Sequence, residues 1–167
     1  MAAGSRPQFD VRQALSRAAA CAKRGDLEAA MTHLKELLAA QPDNELGNGM
    51  LAGIYAQLNM PERATACYEH VLAVNPRNVL ARFHLGLLQL NSGKPGEAVA
   101  TLRPNLDDNT EFLAHFYSAV ALLELQQVEP ARELLERAEQ RMPRNHDLYP
   151  QLQTLLQPLR GGNRAPP

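Results

Sequence analysis

Small and large apolar residues return along this chain at a fixed interval. Ala18, Ala52, Gly86 and Ala119 form one series, spaced 34, 34 and 33 apart, and Ala30, Ala64, Ala98 and Ala131 form a second with the same spacing. A third series, Leu34, Tyr68, Leu102 and Leu135, follows the second by four residues, about one helical turn. Polar and turn-forming residues keep the same beat at Gly25, Asn59, Gly93 and Gln126. Prolines mark it in Gln41-Pro42-Asp43-Asn44, Asn75-Pro76-Arg77-Asn78 and Met142-Pro143-Arg144-Asn145. A period in the low thirties predicts a stack of helix pairs, each burying its apolar side against the next. Four units follow: 11–44, 45–78, 79–111 and 112–145.

Each unit reads as two helices joined by a tight turn. Asp10 and Asn78 suit the N-cap of a first helix, where a short side-chain oxygen accepts a free backbone N–H. Gly25 and Gly93 stand where the turn needs a left-handed residue; Asn59 is a fair substitute, and Gln126 a poor one that predicts a locally different fourth turn. Pro61, Pro95 and Pro130 fall at the start of second helices, where a missing N–H costs nothing. Pro42, Pro76 and Pro143 end those helices by pushing the preceding residue out of the α region. Gly86, inside the run "LGLLQL", costs about 1 kcal/mol relative to Ala in mid-helix. Its offset is a close helix crossing: the first helix is small at Ala18, Ala52, Gly86 and Ala119, and the second at Ala30, Ala64, Ala98 and Ala131.

Leu-Gly in a first helix, Gly at the turn, Ala opening the second helix and Pro near its end together resemble the tetratricopeptide repeat, over residues 11–145. The resemblance implies an all-α fold, a solenoid in which antiparallel helix pairs wind into a right-handed superhelix with a concave groove. Residues 1–10 read as an N-terminal tail. Residues 146–159 read as a capping helix, with Asp147 as cap and Pro158 as stop, and 160–167 as a disordered tail. Three positions depart from the family pattern: Arg82 and Asn48 replace bulky apolar residues, and Gln89 replaces an aromatic. Pro104 falls inside a second helix and predicts its early end and a distortion between 103 and 112.

In such proteins the first helix of each pair lines the groove. Carried over position by position, that face holds Leu46, Gly49, Met50, Gly53, Leu80, Phe83, His84, Leu87, Leu113, Phe116, Tyr117 and Val120. Arg82 and Asn48 leave a second placement open, a rotated helix with Phe83 in the core. Relatives that clamp acidic tails use Lys, Arg and Asn where this chain has Leu15, Ala19, Met50, Leu80 and His84, which argues against that mode. An apolar lining instead suits an amphipathic helix or a segment with Leu or Phe anchors. The expected role is a non-enzymatic adaptor for a protein or peptide partner. The alternatives are a small chaperone for a secreted or assembly-bound substrate, or a self-associating module, including a homodimer.

Composition narrows the chemistry further. The 167 residues are 45% hydrophobic and only 5% aromatic, with no Trp and a net charge of −1. That balance gives no long-range field for nucleic acid. No apolar run reaches the 18 or so residues of a membrane span, and the start "MAAGSRPQFD" has no signal core, so a cytoplasmic chain is the default, or a piece of a longer one. Cys21 and Cys67 are too far apart for a CxxC motif and read as two buried or half-buried thiols in a reducing compartment. His33, His70, His84, His115 and His146 lack metal-ligand spacing and read as surface or groove residues. Gly93-Lys94-Pro95-Gly96 lacks the ending of a phosphate loop. No cofactor, metal or catalytic residue is expected.

Overall fold

The computed structural model describes residues 10–106 and 112–161, and all regular structure among them is helical. The helices are α1 (Val11–Lys23), α2 (Leu27–Ala40), α3 (Glu45–Gln57), α4 (Pro61–Val74), α5 (Val79–Asn91), α6 (Pro95–Leu102), α7 (Phe112–Glu124), α8 (Val128–Arg141) and α9 (Tyr149–Gly161). The chain forms two compact units, divided between Ala81 and Arg82.

In the first unit α1 packs on α2, α2 on α3, and α3 on α4. Caps set the start of each first helix: Gln13 N–H donates to Asp10 Oδ1 at 3.0 Å, Gly47 N–H to Asn44 Oδ1 at 2.8 Å, and Ala81 N–H to Asn78 Oδ1 at 2.9 Å. Ala18, Ala30, Ala52 and Ala64 have no exposed surface, as a close crossing requires. Asn48 is also buried. Its Nδ2 donates to the carbonyls of Pro42 at 2.8 Å and Asn44 at 3.1 Å, so it holds the α2–α3 loop where an apolar residue would only fill space.

In the second unit α6 packs on α7, α7 on α8, and α8 on α9. Ala98, Ala119 and Ala131 are fully buried. A Cβ built on Gly86 would lie 2.5 Å from Leu102 Cγ and 2.7 Å from its Cδ2, so the glycine is required by the approach of the α6 side chain. Pro104 ends α6 early, as expected: the helix has 8 residues, and Arg103–Leu106 continue it as a 3-10 turn. The rest of the predicted distortion, 107–111, lies outside the described residues. Arg82 Nη1 donates to Asn105 Oδ1 at 3.1 Å, which gives the departure at Arg82 a polar partner in the shortened turn.

The turns correct one expectation. Gly25, Asn59, Gly93 and Gln126 all adopt left-handed φ, of 81°, 55°, 71° and 59°. The fourth turn therefore does not differ. It makes the same pair of bonds as the other three, with Gln127 N–H to Leu122 O at 2.8 Å and Gln126 N–H to Leu123 O at 2.9 Å. These satisfy the last carbonyls of α7, and the geometry of the crossing imposes the conformation despite the Cβ. Prolines behave as read: Gln41, Asn75 and Met142, each before a proline, have ψ of 81°, 89° and 123°.

A second correction concerns the C-terminus. Pro158 lies inside α9 and does not stop it, so Arg160 and Gly161 are helical rather than part of a disordered tail. The proline costs the ladder one N–H, while Arg160 beyond it is held by Glu139 of α8, which also accepts Gln153 Nε2 at 2.7 Å. These bonds hold the Glu139 carboxyl below the usual carboxylate range, the Arg160 bond first. Leu152 and Leu156 of α9 have no exposed surface.

Candidate functional site

Leu46, Gly49, Met50 and Gly53 are spaced three, four and seven apart along α3 and so share one face. Leu46 is 59% exposed, and Gly49, Met50 and Gly53 are half-buried. Leu80, in the first turn of α5, is 65% exposed. A Cβ on Gly49 would meet nothing within 4 Å, and one on Gly53 only the Tyr68 hydroxyl at 3.9 Å. The backbone is thus open at both glycines.

The second unit brings Phe83 and His84 of α5 together with Tyr117 of α7. Ring centroids are 5.4 Å apart for Phe83–His84 and 5.8 Å for Phe83–Tyr117, within the range of favourable aromatic pairs. All three are half-buried, as are Leu87, Leu113 and Val120. Desolvation lowers the His84 imidazole below its usual range and raises the Tyr117 phenol, so both groups stay neutral and the face stays apolar at neutral pH.

Phe116 is a correction. It is 1% exposed and belongs to a core cluster with Leu134 and Leu135 of α8 and Leu152 and Leu156 of α9, so it cannot meet a partner. Three residues before Ala119, it lies on the stripe of α7 that carries the small crossing residue. His115 also differs from expectation: it is fully buried rather than at the surface or in a groove. Cys21 is buried and Cys67 half-buried, both as free thiols. Among the described residues no group of His, Cys, Asp or Glu could hold a metal ion, and no helix is long and apolar enough to cross a membrane.

Sequence reasoning missed a cleft at the N-terminal end of α3. It is lined by Leu15 and the run Gln41–Leu46 and has a volume of about 660 Å³. Glu45 Oε2 accepts the side-chain amides of Asn75 and Asn78, both at 2.9 Å, and these bonds, Asn75 first, lower its pKa. The recurring Asn in the tetrapeptides was the available signal.

Comparison with known proteins bears on what this arrangement is for. Two tetratricopeptide-repeat sequence profiles match, one over residues 22–76 and one over 67–100. Residues 22–100 of this chain carry tetratricopeptide repeats. Its all-α solenoid fold is shared with solved structures of MamA. A MamA RS-1 double mutant aligns with a TM-score of 0.76 at 18% identity, over 91% of this chain and 95% of that one. MamA AMB-1 aligns at 0.70 with 28% identity, over 79% and 73%. A MamA fragment, 41-end, from Desulfovibrio magneticus RS-1 aligns at 0.75 with 17% identity, over 93% and 97%. No curated protein matches the sequence. Tetratricopeptide-repeat folds of this kind are typically non-enzymatic modules, and the general role that follows is a protein–protein interaction scaffold.

Proposed function

We propose that the chain is an adaptor whose first-helix faces hold a partner's amphipathic helix or apolar-anchored peptide. One observation carries the reading: apolar side chains on those faces stay open to solvent, with Leu46 at 59% and Leu80 at 65% and the Phe83–His84–Tyr117 rings half-covered. Open apolar surface of this kind is costly to leave bare and marks a contact site. Gly49 lets a ligand backbone approach, and Met50 supplies a contact that adapts to different anchors.

The test is peptide selection on the intact protein, repeated on Leu80→Glu and Leu87→Glu. Enriched sequences should carry Leu or Phe at helical spacing and lose affinity for both variants, while circular dichroism remains helical. Sedimentation supplies the opposing outcome. A dimer that Leu80→Glu converts to monomer means the face is covered by a second copy, which replaces the adaptor reading.

A further inference from the structure

We propose that the outer face of α1 docks a helix of a partner protein that carries acidic side chains along both of its edges. Gly47, Leu51 and Ile54 share the face of α3 that receives α2: a Cβ on Gly47 would sit 2.8 Å from Leu37 Cδ2, and Leu51 and Ile54 are buried. Their equivalents one repeat earlier, Gln13, Arg17 and Ala20, are all exposed. Thus α1 presents bare the side on which α3 accepts a helix.

Charge selects the occupant. Gln13, Ser16 and Ala20 are spaced as a seam along the helix, and by the same geometry Arg12 and Lys23 border it on one side, Arg17 and Arg24 on the other; all are exposed. Within α1 there is no acid, and the acids at its two ends, Asp10 and Asp26, cap helices by accepting Gln13 N–H and Ala29 N–H. Among the described residues no ion pair uses Arg12, Arg17 or Lys23, and Arg24 donates to the free Cys21 thiol at 3.4 Å. Such basic edges match a helix with acidic edges. A terminal helix of a repeat array needs a polar outer face, but not one of a single sign. The last helix, α9, exposes the neutral Gln151, Thr154 and Gln157, and its Arg160 is paired with Glu139. A second copy fits poorly, because the acids of α2, α4 and α8 are interleaved with Lys35, Arg63 and Arg132. The exposed face of α1 also has no large apolar or aromatic side chain to enter a bilayer or stack on a base.

The test selects helical peptides with an Ala–Leu seam, their edge positions randomised among Glu, Gln and Lys. Selection runs on the full chain, on Arg17→Glu/Lys23→Glu, and on Leu80→Glu, which alters the face of the adaptor reading and not this one. Both reversed positions are exposed, so circular dichroism should stay helical. Wild type and Leu80→Glu should enrich Glu at both edges. The reversed variant should bind those winners roughly tenfold more weakly, as two exposed charge pairs turn repulsive, and should enrich Lys instead. Raising NaCl should narrow the gap. Absence of an edge preference in the wild type, or an unchanged Glu preference in the reversed variant, overturns the inference. So does a loss on Leu80→Glu equal to that on the reversed variant, which places the acidic helix on the other face. Flotation with vesicles of equimolar phosphatidylcholine and phosphatidylserine, lost in the reversed variant and unaccompanied by enriched peptides, overturns it in favour of a membrane.

Discussion

Replacing Gly86 by Ala tests the helix crossing most directly. In an open mid-helix position that change stabilises by about 1 kcal/mol through helix propensity. At Gly86 the new Cβ would sit 2.5 Å from Leu102 Cγ, far inside contact distance. Leu102 has no exposed surface and is the last residue of α6, before the 3-10 turn, so it has little room to yield. Overpacking of this size costs roughly 1–3 kcal/mol. The two terms oppose, and the net expectation is a loss of about 0–2 kcal/mol. Gly49→Ala provides the contrast within the same protein, because its Cβ meets nothing within 4 Å; it should gain about 0.5–1 kcal/mol. Urea unfolding followed at 222 nm reads both, as shifts of midpoint at constant slope. Gly49→Ala should raise the midpoint and Gly86→Ala should lower it or leave it unchanged, a separation of roughly 0.5–3 kcal/mol. If Gly86→Ala stabilises as much as Gly49→Ala, the close approach of α5 and α6 is not what requires the glycine.

Three other expectations follow from particular contacts. Gln126→Gly should raise stability by about 0.5–1 kcal/mol, since it relieves a Cβ at φ of 59° while keeping the turn's bonds; an unchanged or lower melting temperature would refute the strain. Asn48→Ala should cost roughly 1–2 kcal/mol by taking the side-chain donor from the Pro42 carbonyl, while Asn44 O keeps the backbone N–H of residue 48, and amide exchange should show the loss concentrated at residues 41–48. Glu139, whose folded pKa is depressed by Arg160 and then Gln153, contributes stability that is present above the usual carboxylate range and is lost as pH falls from there through its lowered folded value. Because the Arg160 side chain is 44% exposed, the latch is worth only about 0.5–1 kcal/mol. The protection of α9 amides, measured relative to their intrinsic exchange rate at each pH, should fall on acidification in the wild type and be low at all pH values in Glu139→Gln.

Several features were legible before any coordinates because they answer local requirements. A proline disfavours the α region at its predecessor, and before Pro42, Pro76 and Pro143 that residue leaves the helix. Asp10 and Asn78 cap because their oxygens reach an N–H three residues on. Two misreadings came from judging a residue by its own preference. Gln126 is a poor left-handed residue and Pro158 a poor helical one, yet backbone bonds at the α7–α8 turn and the Arg160–Glu139 pair hold both in place.

The period of small residues thus determined from sequence alone that helices cross in pairs and where, since only Ala or Gly fits a tight crossing and the rule repeats in every unit. Which part of the first-helix face stays open was decided by tertiary structure. Phe83 and Phe116 occupy equivalent places in the repeat, but Phe116 shares a closed core with Leu152 and Leu156 of α9, while Phe83 stays half-open beside His84 and Tyr117. Exposure depends on what arrives from distant parts of the chain, and no local pattern at either phenylalanine encodes that. The cleft beside Leu46 arises the same way: the recurring Asn is visible in the sequence, but that Asn75 and Asn78 meet Glu45, 30 and 33 residues away, is decided by the packing.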